Sequence, residues 1–129
     1  MEIRDAVEAD AGRLAALTGS PTDVMRNLVH DRTVRVAADP EDGVAGFVSY
    51  DAKGKTVHVT QLEGNTEVCV ELLDEPTRFA RSEGMDVEFL VAEDDEEQRR
   101  AAEEAAFDDH GPGPRFDGTQ TVRYRWEPA

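Results

Sequence analysis

Apolar residues recur along the chain with two spacings, one typical of helices and one typical of strands. A spacing of three or four residues predicts helices that begin at Asp5 and just after Pro21, and helices over residues 66–83 and 94–106. Alternating or β-branched runs predict strands near Ile3 and over residues 33–38, 44–50, 56–62, 87–91 and 121–126. The predicted order is therefore β, α, α, β, β, β, α, β, α, followed by one or two further strands.

Glycine and proline residues punctuate these elements. The sequences DPEDG and DAKG are typical of turns, and they join three consecutive strands into a predicted antiparallel meander. Pro76 lies inside the long helix, where a proline removes one intrahelical hydrogen bond, so we expect a kink or a split with a bend near Glu75. The sequence HGPGP at residues 110–114 predicts an irregular loop.

The charge of the chain limits the classes of partner that we expect it to bind. A length of 129 residues predicts one domain, residues 1–129, and this domain carries 29 acidic against 14 basic residues, a formal net charge of −15. Nucleic acids and anionic membranes require positive charge from their partners, so we expect neither. Three arginines near the carboxyl terminus predict pairing with surface carboxylates or an anionic ligand: Arg115, Arg123 and Arg125.

The basic residues are almost all arginine, since Lys53 and Lys55 are the two lysines. An acidic surface that is poor in lysine resembles the surfaces of proteins from salt-in halophiles. At molar salt the Debye length is about 3 Å, which screens the repulsion among surface carboxylates. We therefore expect a salt-adapted protein whose stability rises with salt.

The numbers and spacing of cysteine and histidine residues limit the cellular compartment and the metal chemistry that we expect. The single cysteine, Cys69, cannot form an internal disulfide, which fits a reducing compartment, and we expect it to be a small buried apolar residue. No apolar run approaches the roughly 20 residues of a membrane span, and residues 1–10 are acidic where a signal peptide is basic, so we expect a cytoplasmic protein. The three histidines and Cys69 have no metal-site spacing, so we expect no metal.

The order of elements and four stretches of sequence resemble the Gcn5-related N-acetyltransferase (GNAT) family. The stretches are IRDA before the first helix, VAGFVSYD, LLDEPTRFARSEGMDVEFLV and AAEEAAF. The resemblance covers essentially the whole chain. It implies an α/β fold in which about four helices surround a mixed sheet of six or seven strands, and a V-shaped opening in that sheet holds acetyl-CoA.

The strand, helix, strand order over residues 56–91 predicts how this opening forms. Parallel neighbours in a sheet require such a crossover, so the fourth and fifth strands are expected to run parallel. The third and fourth strands are expected to be antiparallel and central. The cofactor interpretation further requires the fourth and fifth strands to separate at their carboxyl ends.

In the GNAT family, the turn after the fourth strand carries a glycine-containing motif that binds the pyrophosphate of CoA, and this motif falls on residues 64–69 here. Gly64 stands at the position of a glutamine or arginine, and Glu67 stands at the position of a central glycine, where a carboxylate repels phosphate. The resemblance implies that the pantetheine lies along the fourth strand and the pyrophosphate lies at the turn. The implied acetyl-CoA residues are Gln61, Leu62, Gly64, Asn65, Thr66 and Glu67.

Two residues of the fourth strand are candidates for proton transfer. Glu63 lies where the resemblance implies that an acceptor amine approaches, and His58 carries an imidazole suited to proton transfer near neutral pH. The alternative interpretation of each residue is an ordinary solvated side chain without a catalytic role. Strand alternation predicts two faces, one with His58, Thr60 and Leu62 and the other with Val57, Val59 and Gln61. The family tyrosine that protonates the leaving thiolate has Ala102 in its place.

Two functions follow from these observations. The first is an acetyl-CoA-dependent N-acetyltransferase, in which an amine of a small molecule or a protein attacks the acyl donor directly. The second is a catalytically inactive binding or interaction module of the same fold, in which Gly64, Glu67 and Ala102 mark a lost CoA site. The sequence leaves the acceptor and the oligomeric state open.

Overall fold

A computed structural model describes residues 1–128 and places twelve elements in the predicted order. The strands are β1 Glu2–Asp5, β2 Thr33–Asp39, β3 Gly43–Lys53, β4 Thr56–Glu63, β5 Asp86–Ala92, β6 Asp108–Phe116 and β7 Thr119–Trp126. The helices are α1 Ala11–Thr18, preceded by a 3₁₀ turn at Glu8–Asp10, α2 Thr22–Asp31, α3 Thr66–Glu83 and α4 Glu96–Glu104. The mixed α/β class is confirmed, with seven strands and four α-helices among the described residues.

The seven strands form one sheet in the order β1-β2-β3-β4-β5-β7-β6. Strands β4 and β5 are parallel, and the other neighbours are antiparallel. The β4–β5 pairing runs from Thr56↔Asp86 to Val59↔Phe89 and then ends, although β4 continues to Glu63 and β5 to Ala92. The predicted separation of these two strands is confirmed.

Helices cover the two faces of the sheet. On one face, α3 and α4 bury side chains of the sheet in a large core that includes Val57, Leu72 and Phe89. On the other face, α1 and α2 cover a smaller core around Leu14, Met25 and Phe47. Because the smaller core involves β2 and β3 but neither β5 nor β7, the second face of β5 and β7 is not covered by it.

Helix α3 runs unbroken through Pro76, so the predicted split is wrong, while the bend near Glu75 remains a prediction. Pro76 lies in the buried face of the helix, and packing of that face outweighs the local preference of proline. The Thr77 hydroxyl also donates to the carbonyls of Leu73 and Asp74, each at 3.1 Å, within the same turn.

A β-bulge in β4 changes which side chains share a face. Ser49 pairs with Gln61 and Tyr50 pairs with Val59, so Thr60 is an extra residue in the ladder. After this bulge, Leu62 joins Val59 in the core beneath α3 and α4. The expected alternation, which placed Leu62 on the face of His58, is therefore wrong, because the extra residue shifts the alternation by one position.

Residues 110–114 belong to strand β6, so the expected irregular loop is wrong. Strand β6 is an edge strand that pairs with β7 alone, and the register shifts between Asp109 and Pro112 and between Pro112 and Arg115. Proline lacks a backbone N–H, which an edge strand tolerates because one side of its backbone needs no partner.

Gly46 sets how closely β3 approaches the carboxyl end of β4. A Cβ atom on Gly46 would lie 2.3 Å from the Glu63 carbonyl oxygen and 2.8 Å from Val68 Cγ1, whereas a Cβ on Gly12 would meet nothing within 4 Å. We predict that Gly46→Ala lowers the free energy of unfolding by about 1–3 kcal/mol or more, because the obstructing atom is backbone. Denaturant unfolding in high KCl measures this change.

The control for this prediction is Gly12→Ala in helix α1, which we expect to raise the free energy of unfolding by about 0.4–1 kcal/mol. Equal stability of Gly46→Ala and the wild type would show that β3 and the end of β4 are not held at this distance.

Candidate functional site

The opening between β4 and β5 exposes one backbone edge of β4. Residues 60–63 extend beyond the last β4–β5 pair, while Leu62 and Glu63 remain paired with Val48 and Phe47 of β3. A strand that is paired on one side presents unpaired N–H and C=O groups on its other side. This edge can therefore accept an extended chain that contains amide groups.

The turn from β4 into α3 depends on glycine and on a helix cap. Gly64 has φ +140°, and a Cβ atom there would lie 2.9 Å from Val68 Cγ1, so a side chain is excluded by conformation and by space. The Asn65 side chain accepts a hydrogen bond from the Val68 N–H at 2.9 Å and so caps the first turn of α3. Gly64 is therefore required by the local structure of this turn.

Carboxylates surround the opening. Burial, and secondarily the negative charge of Asp95, raise the pKa of the half-buried Glu63 carboxyl. Burial, followed by the charges of Glu63, Asp95 and Glu97, raises the pKa of the Cys69 thiol to about 12. Cys69 is buried, as expected, and its thiol donates to the Gly64 carbonyl at 3.4 Å. A neutral, buried thiol in an acidic setting is a poor nucleophile.

Sequence reasoning missed Gln98 of α4. The Gln98 side-chain Nε2 donates to the Leu62 carbonyl at 2.5 Å, so α4 reaches across the opening to β4. The Gln98 backbone N–H in turn donates to the Asp95 side chain at 3.1 Å, and this hydrogen bond caps α4. In the sequence, Gln98 stands in the polar run EDDEEQRR, and no local pattern distinguishes it from a solvated residue.

Gln61, which lies in β4 beyond the last β4–β5 pair, carries an unusual polar atom. Its side-chain Oε1 is buried and has no hydrogen-bond partner among the described residues. A buried acceptor without a partner is costly, and such groups are rare in folded proteins. Gln61 is one of the residues that the sequence assigned to the acyl donor.

His58 lies on the face of the sheet opposite α3 and α4, at the point where β4 and β5 begin to separate. It is paired with Glu88 in the parallel ladder. A cavity of about 380 Å³ opens there, lined by His58, Val59, Thr60, Glu88, Leu90 and Phe116. The Thr60 and Ser49 hydroxyls form a hydrogen bond of 2.7 Å at its edge.

The structure does not bring His58 and Glu63 together. They are five positions apart along the strand, which corresponds to about 16 Å at roughly 3.3 Å per residue. One acceptor amine therefore cannot use both side chains at once. Glu63 instead groups with the turn at residues 64–67 and with Asp95, while His58 belongs to the cavity on the opposite face.

The expected pairing of carboxyl-terminal arginines is confirmed for two of them. Arg123 and Arg125 bind the Glu88 carboxylate at 2.6 and 2.8 Å, and Arg125 also contacts Asp86 at 3.1 Å. Glu88 is therefore neutralised within the cavity that His58 lines. These arginines are engaged by protein carboxylates in the structure.

Neither tyrosine supplies an acid at the opening. Ala102, which the resemblance aligned with the family tyrosine, is fully buried. The Tyr124 hydroxyl accepts from Arg99 Nε and donates to Glu103 Oε2, both at 3.1 Å, and burial raises the pKa of Tyr124. Tyr50 packs against Phe79 with ring centroids 6.3 Å apart.

A larger depression of about 580 Å³ borders α3 and is separate from this opening. Two arginines that line it pair with the buried Glu75: Arg35 Nε binds Glu75 at 2.7 Å, and Arg78 Nη1 contacts Glu75 at 3.4 Å. Among residues 1–128, no three His, Cys, Asp or Glu side chains are placed to hold a metal ion. No helix in the described part of the chain combines the length and apolar character of a membrane span.

The sequence matches no protein-family model and no curated protein. Solved structures do match the fold. A GNAT-family protein from Desulfovibrio desulfuricans superimposes with a TM-score of 0.76 at 22% identity, over 99% of both chains. A ribosomal-protein-alanine N-acetyltransferase from Brucella melitensis gives 0.79 at 16% identity, over 98% of this chain and 99% of that one.

The spermidine/spermine N-acetyltransferase SpeG from Vibrio cholerae, solved in mutant forms, gives a TM-score of 0.74 at 13% identity, over 98% of this chain and 93% of that one. The matches extend over nearly the full length of each chain. The chain therefore has the GNAT fold, and identities of this size establish the fold alone.

Proposed function

We propose that this protein is an acetyl-CoA-dependent N-acetyltransferase. The observation that carries the proposal is the early end of the β4–β5 ladder at Val59 and Phe89, which leaves an unpaired β4 edge beside the start of α3. The GNAT fold supports it, since proteins named as N-acetyltransferases share this sheet and connectivity.

The residues around the opening fit one part of acetyl-CoA better than the other. The backbone edge of β4 at residues 61–63 suits the amide groups of an extended pantetheine chain. The turn at Gly64, Asn65, Thr66 and Glu67 offers backbone N–H groups of a helix start but no basic side chain. When bound, acetyl-CoA supplies an acyl thioester.

Glu63 is the base that we propose for this reaction. A cationic amine first loses one proton to water, which frees its lone pair. Attack on the thioester then forms a C–N bond, breaks the C–S bond and releases a second proton from the nitrogen to Glu63. A half-buried carboxylate with a raised pKa holds that proton more strongly than a solvated one does. Because Ala102 has no acid to offer, water protonates the leaving thiolate.

The acceptor that we propose is a cationic amine. After burial, the charges of Glu63, Asp95 and Glu97 raise the pKa of the Cys69 thiol, so these three carboxylates lie close enough to the start of α3 to act together. Such a field concentrates cations and disfavours anionic acceptors. Among the matching structures, one protein is named for the alanine of a ribosomal protein and another for spermidine and spermine.

A second candidate function is a binding module without catalysis. Glu67 places a carboxylate at the start of α3, and Asn65 already engages the Val68 N–H that would otherwise face a ligand. These two features would also arise in a chain that has abandoned acetyl-CoA. Ligand binding distinguishes the two functions.

We predict that millimolar acetyl-CoA raises the melting temperature of the wild-type protein in high KCl, because a ligand that binds the native state stabilises it. Glu67→Gln should bind acetyl-CoA about two- to fivefold more tightly in dilute buffer, the range expected for one exposed charge pair, and the gain should shrink as KCl increases. Glu71→Gln removes an exposed carboxylate one turn further along α3 and serves as the control.

A wild-type protein that shows no shift at any KCl concentration, beside a Glu67→Gln variant that does shift, would favour the binding module. If no variant binds acetyl-CoA, the acetyltransferase proposal fails.

A second prediction concerns the base. We expect Glu63→Gln to lower kcat by about 10²–10⁴-fold, the usual effect of removing a general base. In the wild type, activity should fall as pH falls through the Glu63 pKa, and this loss should occur above the pH range of an ordinary glutamate because that pKa is raised. Steady-state kinetics with acetyl-CoA and spermidine between pH 5 and 9 measure both effects.

His58→Gln is the matched variant, since it removes the other candidate proton acceptor on the same strand. We expect it to keep the acidic limb of the pH profile. Loss of that limb in His58→Gln, with the limb retained in Glu63→Gln, would transfer the role of base to His58.

A further inference from the structure

The contact between Gln98 and Leu62 occupies a position that the fold leaves open. Beyond the last β4–β5 pair, the Leu62 carbonyl has no partner from β5. The Gln98 side-chain amide donates to this carbonyl at 2.5 Å from the first turns of α4. A side-chain amide thus supplies the hydrogen bond that a neighbouring strand, or an amide of a bound chain, would supply.

Helix α4 does not depend on this contact for its position. Two residues of α4, Ala101 and Ala102, are fully buried on the inner face of the helix. Arg99, also in α4, binds both the Tyr124 hydroxyl at 3.1 Å and the Glu93 carbonyl at 3.0 Å. Asp95 caps the helix through the Gln98 backbone N–H at 3.1 Å. The Gln98 side chain is therefore free to rotate about its own torsions while the helix stays in place.

We propose that Gln98 is a latch over the donor site: its amide holds the Leu62 carbonyl in the free protein and must swing away before an amide of acetyl-CoA can use that carbonyl. This inference rests on the proposed function. Acetyl-CoA then binds only those molecules in which Gln98 has released the Leu62 carbonyl. The apparent dissociation constant is therefore the intrinsic one divided by the fraction of such molecules.

The size of the effect follows from the strength of one hydrogen bond. A typical intramolecular hydrogen bond favours its closed state by a factor of roughly two to ten after exchange with water. Removal of the Gln98 amide should therefore tighten acetyl-CoA binding by roughly two- to tenfold. A residue with a merely structural role would leave the affinity unchanged or weaken it.

Two substitutions separate the hydrogen bond from the space that Gln98 fills. Gln98→Ala removes the amide and clears the opening, whereas Gln98→Met keeps a side chain of similar length without a donor. Alanine and methionine are both good helix formers, so α4 should persist in each variant. The matched control is Gln120→Ala on β7, since Gln120 Nε2 also donates to backbone carbonyls, those of Gly113 at 2.9 Å and Thr121 at 3.0 Å.

The experiment measures acetyl-CoA affinity by titration calorimetry for the wild type and the three variants in high KCl. NMR of the glutamine side-chain NH₂ groups, assigned by comparison with Gln98→Ala, adds a readout that does not depend on activity. We expect tighter binding in Gln98→Ala and Gln98→Met but not in Gln120→Ala. We also expect the Gln98 amide protons to be protected from exchange in the free protein and to lose this protection when acetyl-CoA is bound.

Wild-type binding that is not tightened in Gln98→Ala, or Gln98 amide protons that stay protected in the bound protein, would overturn the latch and leave the proposed function standing. Absence of acetyl-CoA binding in the wild type and in every variant would instead overturn the proposed function, and the latch with it.

Discussion

The separation of β4 from β5 is the constraint on which the rest of the structure depends. Strand β4 stays with β3 as far as the Glu63↔Phe47 pair, whereas β5 stays with β7 as far as the Ala92↔Thr121 pair. Strand β4 therefore keeps the direction of β3, and β5 keeps the direction of β7. The two strands diverge after Val59 and Phe89. The bulge at Thr60 and the close approach of Gly46 to the Glu63 carbonyl fix the end of β4 on the β3 side. The free β4 edge, the start of α3 and the reach of Gln98 all follow from this divergence.

The second property of the opening between β4 and β5 is the presence of carboxylates beside it. The chain has few basic residues, and several of its arginines pair with buried or half-buried carboxylates elsewhere: Arg35 with Glu75, and Arg123 and Arg125 with Glu88. At the opening, burial and then the negative charge of Asp95 raise the pKa of the Glu63 carboxyl. An acidic opening favours a cationic acceptor and opposes a phosphate-bearing donor, and salt weakens both effects. The affinity for such a donor should accordingly depend strongly on ionic strength.

Local patterns in the sequence predict most of the fold. The long helix over residues 66–83 is predicted with its observed bounds, because its apolar spacing is regular and Gly84 ends it in the left-handed conformation. The strand, helix, strand order also predicts the parallel β4–β5 pair. The seventh strand was left open, and residues 110–114 of β6 were wrongly predicted as a loop. Glycine and proline indicate a loop unless the strand lies at a sheet edge, and edge position is a property of the whole sheet.

The site was less predictable, because its geometry comes from contacts between distant segments. The bulge at Thr60 moved Leu62 into the core, and no feature of residues 56–62 alone indicates an extra residue in the ladder. Gln98 and Leu62 are 36 positions apart, so their hydrogen bond leaves no periodic signal. Gly64, which reads as a departure from the family motif, is explained by its positive φ and its contact with Val68. The roles of Glu63 and His58 remain predictions.

Amide hydrogen exchange along β4, with and without saturating acetyl-CoA in high KCl, tests the central claim that the free edge of β4 is the donor site. The amides of residues 57–59 lie in the paired part of the sheet and should be protected in both states. Among residues 60–63, the amides that do not face β3 should exchange rapidly in the free protein and slowly when acetyl-CoA is bound. Uniform protection along β4 in the free protein, or rapid exchange that acetyl-CoA does not change, would contradict the account.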